Sequence, residues 1–62
     1  MSWTMMNRWF NTYGGEIEWI EPTEVLGPDS EWVIIGQEPD DNQEVFDIAK
    51  NINTKELRYT LI

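Results

Sequence analysis

The stretch Asp41-Asn42-Gln43-Glu44-Val45-Phe46-Asp47-Ile48-Ala49-Lys50-Asn51-Ile52 decides how the rest of the chain is read. Its apolar residues Val45, Phe46, Ile48, Ala49 and Ile52 recur at offsets of one, three, four and seven, which places them in a stripe along one side of a helix. Asp41, followed at the third position by Glu44, fits an N-terminal capping box, with Asp40 or Asn42 as other candidates for the cap. Lys50 lies near the opposite end, where its charge suits the helix dipole. These features predict a helix.

Toward the N-terminus, Trp32-Val33-Ile34-Ile35 is the most apolar run and is β-branched at its last three positions. It reads as a central strand ended by Gly36, with a loop from Gln37 through Pro39 to Asp41. Pro22 and Gly27-Pro28-Asp29-Ser30 bracket Thr23-Glu24-Val25-Leu26, which reads as a short edge strand or an ordered loop. Residues 8–21 read as a β-hairpin around Gly14-Gly15, a pair that tolerates the positive φ values of a two-residue turn. In that pairing Thr12, Ile17, Phe10 and Trp19 share one side, closed by Arg8 opposite Glu21. Trp9 falls on the other side with Glu16, Glu18, Asn11 and Ile20, and is a candidate for partial exposure. Residues 3–6 either extend the first strand or fray.

Beyond the predicted helix, Leu57, Tyr59 and Leu61 alternate with Glu56, Arg58, Thr60 and Ile62, a pattern for a last strand rather than a second helix starting at Thr54. The expected architecture is a single α+β domain over residues 1–62. It has a small antiparallel or mixed β-sheet of three to four strands with one helix packed on one face. A chain of 62 residues is near the lower limit for one self-sufficient core, and 40% apolar content with four Trp argues against disorder.

Charge is the strongest functional clue. The net charge is −8, and the eleven acidic residues between Glu16 and Lys50 face Lys50 alone, a formal −10 for that stretch. On a small body such charges lie within about one Debye length of one another and their fields add. Nucleic acid is disfavoured as a direct ligand, because phosphates would be repelled and no Lys/Arg stripe replaces their counterions. A basic protein is the expected partner, and a nucleic-acid-binding enzyme whose groove the carboxylates block is its most specific form. The bland alternative is that the charge is a solvated face that confers solubility.

The protein-binding candidates are Glu16, Glu18, Glu21, Glu24, Glu31, Asp40, Asp41, Glu44, Asp47, Trp9 and Tyr13. Trp9, Tyr13, Trp19 and Trp32 near carboxylates also suit a shallow groove for a proline-rich or Lys/Arg-containing peptide. Against that stands the plainer reading, in which Phe10, Trp19 and Trp32 are core and Trp9 covers it. A third class is a structural subunit, in one version a homo-oligomer, whose open sheet face another chain completes.

Catalysis is not expected. With no His and no Cys, the serines and threonines have no base to activate them, thiolate chemistry is absent, and no metal or other cofactor is anticipated. Residues 38–44 are rich in oxygen ligands but lack the central Gly of a calcium loop, and Asn51 stands where its bidentate Glu belongs if Asp40 begins it. The first residues lack the pattern of a signal peptide and no segment has the length of a membrane span, so a cytoplasmic setting without membrane attachment is expected. Compact acidic proteins of this sort occur among phage-encoded inhibitors of host enzymes, which is an association and not a family resemblance.

Overall fold

The computed structural model describes residues 7–62, with side chains from Trp9 onward. Residues 3–6, the exposure of Trp3 and the side chain of Arg8 therefore lie outside the described residues. The elements are α1 (Asn7–Tyr13), β1 (Glu18–Trp19), α2 (Pro22–Leu26), β2 (Trp32–Pro39), β3 (Val45–Asn51) and β4 (Leu57–Thr60). They build a small α+β domain around a four-stranded mixed sheet in the order β1-β4-β3-β2. β2, β3 and β4 are antiparallel neighbours, and β1 lies parallel to β4 with Trp19 opposite Tyr59. The predicted α+β class and last strand are observed, while several element assignments differ.

The segment predicted as a helix from Asp41 is instead a hairpin loop and the inner strand β3. Two periods coexist in its sequence, because Phe46 and Ile48 also alternate with Asp47 and Ala49 as a strand requires. The strand prevails because both its faces are covered. Ile48 is buried with Trp9 and Ile17, and Ala49 is buried with Ile20 and Val25. Adjacent strand residues point to opposite sides, so these two clusters occupy the two sides of the sheet. A helix would bury only one stripe.

Asp40 acts in the turn rather than in a helix cap. Its Oδ1 accepts the N–H groups of Asn42 at 2.8 Å and Glu44 at 2.9 Å, while its own N–H donates to Glu44 O at 2.8 Å. Gln43 has φ 67°, giving a three-residue loop that ends in a left-handed residue. At the other end of β3, Asn51 Oδ1 accepts Asn53 N–H and Thr54 N–H, and Lys55 takes φ 69°.

Residues 7–13 form a helix rather than the first arm of a hairpin. Gly14 supplies positive φ, 77°, but spends it on ending the helix, where its N–H donates to Phe10 O at 2.9 Å. Helical spacing turns Trp9 and Tyr13 to the sheet and leaves Phe10 outside. Trp9 is consequently 1% exposed, whereas Phe10 at 49% and Trp19 at 42% are outside the core to which the sequence assigned them. Trp9 packs edge-on against Phe46 at 5.8 Å between ring centroids, and against Tyr59 at 5.1 Å.

The segment after β1 is helical from Pro22 because proline suits the first helical position, where no N–H partner is needed. Val25 is its buried residue. Finally, Trp32-Val33-Ile34-Ile35 does not lie at the centre of the sheet. β2 is an edge strand that continues past Gly36 through a bulge, and Val33, Ile34 and Ile35 remain exposed.

Candidate protein-docking surface

The link from β1 to β2 carries the chain from one edge of the sheet to the other by way of α2. Along it stand Glu21, Glu24, Asp29 and Glu31, with Glu18 in β1 and Glu16 just before it; all six are exposed, and residues 16–31 contain no Lys or Arg. Local structure explains why these acids stay outside. β1 is only two residues long, and α2 gives Val25 to the core while turning Glu24 to solvent in its first turn. Ser30 N–H donates to Gly27 O at 3.1 Å, closing a turn over Pro28 and Asp29.

Within this segment, Thr23, Glu24, Gly27, Pro28, Asp29, Ser30, Glu31 and Trp32 line an open cleft of about 390 Å³. Three carboxylates and a half-buried indole thus share one concavity. Arg58 sits 5.6 Å from the centroid of the Trp32 ring, and its guanidinium pairs with Glu56 at 3.3 Å. Glu21 accepts the Trp19 indole N–H at 3.0 Å.

Other predicted docking residues are placed elsewhere. Asp41 and Glu44 are exposed at the β2–β3 hairpin, the far end of β2 from the cleft. Asp40 and Asp47 are buried and structural. Asp47 accepts Gln37 Nε2 at 3.1 Å on one oxygen and Ile62 N–H at 3.0 Å on the other. Trp9 is interior, its indole N–H donating to Pro39 O at 2.8 Å. An aromatic groove built on Trp9 is therefore corrected, because a helix and not a strand carries that residue.

Tyr13 is half-buried beside Glu38; burial first, then the negative charge and hydrogen bond of Glu38, raise its phenol above the ordinary value of 10.0. Asp29, which completes the cleft, was not among the predicted docking acids, whereas Trp32 was one of the four aromatics expected to line a peptide groove. The turn pair Gly27-Pro28 directly before Asp29 was the available signal.

Among the described residues, no three acidic, His or Cys side chains converge to hold a metal ion, and no helix is long and apolar enough to cross a membrane. Comparison of the chain with protein-family models, with curated proteins and with solved structures returns no match.

Proposed function

We propose that this domain is a binding protein that docks the acidic crossover, residues 21–31, on a basic surface of a partner protein in the cytoplasm. The observation that carries the reading is the cation-free run of exposed carboxylates along that crossover, gathered at Glu24, Asp29 and Glu31 into a cleft beside Trp32. Summed fields of this sign raise the rate of encounter with a basic patch, and a desolvated aromatic edge holds the complex once formed. Lys or Arg side chains of the partner enter the cleft, where the carboxylates offer ion pairing and the Trp32 indole, already faced by Arg58 of this chain, offers apolar contact. In its most specific form, the partner is a nucleic-acid-binding enzyme and the acids stand where phosphates would.

Affinity capture from the native cell, followed by salt elution and competition with DNA or RNA, tests this. Retention of a basic protein that salt releases is the expected result, and displacement by nucleic acid identifies groove blocking. Retention that is indifferent to salt, or lost on Trp32→Ala but untouched by Glu24→Gln with Glu31→Gln, contradicts it.

A further inference from the structure

The orientation of the β2 backbone can be followed from its ends. Ile52 N–H donates to Glu31 O at 2.8 Å, and Asp40 N–H donates to Glu44 O at 2.8 Å, so the backbone of Glu31 and Asp40 faces β3. Hydrogen-bonded and non-bonded pairs alternate in an antiparallel ladder. Counting inward from both ends across the register, Trp32, Ile34, Gln37 and Pro39 turn their backbone groups away from β3 toward the open edge. The irregularity between Ile34 and Gly36 absorbs the odd residue, Ile35.

Both ends of that edge are closed. Trp32 N–H donates to Ser30 Oγ at 3.0 Å, Pro39 has no N–H, and Pro39 O accepts from Trp9. Among the described residues, what remains open is a short window at Ile34 and Gln37, beside the exposed side chains of Val33, Ile34 and Ile35. Such stops block open-ended stacking of strands while leaving one place where a single segment can pair. Glu31, exposed, stands before the window and Glu38, half-buried beside Tyr13, after it, roughly 20 Å apart at strand spacing. The nearest cation in the register is Lys50, half-buried opposite Val33.

We propose that the β2 edge takes an extended segment of the basic partner as an added strand, hydrogen-bonded at Ile34 and Gln37. Apolar residues of that segment cover Val33, Ile34 and Ile35, and a Lys or Arg at each end meets Glu31 and Glu38. A second copy of this chain does not fit, because it brings the same acidic ends and a net charge of −8 to the same edge. The inference rests on the acidic-docking reading and adds where and how the partner is held.

The test uses the full chain and a synthetic peptide of about eight residues with alternating Thr and Val between terminal Lys residues. It is paired with an analogue N-methylated at alternate residues, and with oligolysine. Amide exchange and chemical shifts follow each titration, with Ile34→Pro as the variant. Expected are slowed exchange at Ile34 and Gln37 with the first peptide, and a loss of at least about tenfold in affinity on N-methylation or in the variant. If Ile34→Pro unfolds, the methylated peptide still decides. Equal binding of both peptides, with shifts confined to the Glu24–Trp32 cleft, overturns strand addition and leaves acidic docking standing. Failure of every cationic probe at low salt overturns both.

Discussion

The indole N–H of Trp9 donates to the carbonyl of Pro39 at 2.8 Å, joining α1 to the last residue of the edge strand across thirty positions of sequence. The seven described residues of α1 are marginal as an isolated helix, and this anchor and the aromatic contacts with Phe46 and Tyr59 hold them in place. Trp9→Phe removes the donor and part of the ring and is expected to destabilise the fold by roughly 1–3 kcal/mol in urea unfolding. An unchanged midpoint would mean that α1 contributes nothing to the folded state.

Gln43 holds φ 67° in the β2–β3 loop, a conformation that glycine adopts without steric penalty. Gln43→Gly is expected to raise stability by roughly 0.5–1 kcal/mol, read from the same unfolding experiment. Destabilisation would argue for a different loop conformation.

Asp40 carries two backbone N–H groups on one oxygen, while its other oxygen is buried without a hydrogen-bond partner among the described residues. Asp40→Ala leaves the Asn42 and Glu44 donors without this acceptor and is expected to lower stability by roughly 1–3 kcal/mol. Asp40→Asn keeps the acceptor and should lie closer to the parent. Parity of the alanine and asparagine variants would show that the turn does not depend on Oδ1.

Tyr13 links stability to alkaline pH. Its folded-state phenol is raised above 10.0, so the folded protein holds that proton more tightly than the unfolded chain. The associated stability is present below pH 10 and is lost as pH rises through the folded-state value. In Tyr13→Phe that part of the alkaline decline should disappear, and a decline identical to the parent's would assign it to other groups.

These local features show why the sequence was only partly legible. The α+β class and the last strand followed from apolar mass and from the alternation around Leu57 and Tyr59. The first helix was hidden because Gly14-Gly15 serves equally as a hairpin turn and as a helix stop, and only Trp9 finding Phe46 and Tyr59 decides between them. The strand β3 was hidden because Val45, Phe46, Ile48, Ala49 and Ile52 form a complete helical stripe, whereas only Phe46 and Ile48, alternating with Asp47 and Ala49, carry the strand period. Burial on both faces, a tertiary fact, selected the strand. Concentrated charge was visible from residue order alone. That Glu24, Asp29 and Glu31 gather at Trp32, while Asp40 and Asp47 turn inward, depended on the crossover and the hairpin.

The most direct measurement is the affinity of a lysine-rich peptide for the parent and for two doubly neutralised variants, across a series of salt concentrations. Glu24→Gln with Glu31→Gln removes charge at the cleft, and Glu16→Gln with Glu18→Gln removes the same charge near the opposite edge of the sheet. Affinity should fall steeply with salt and should drop several-fold further in the cleft pair than in the edge pair. Equal losses in the two variants, or affinity that ignores salt, would contradict a localised acidic docking site.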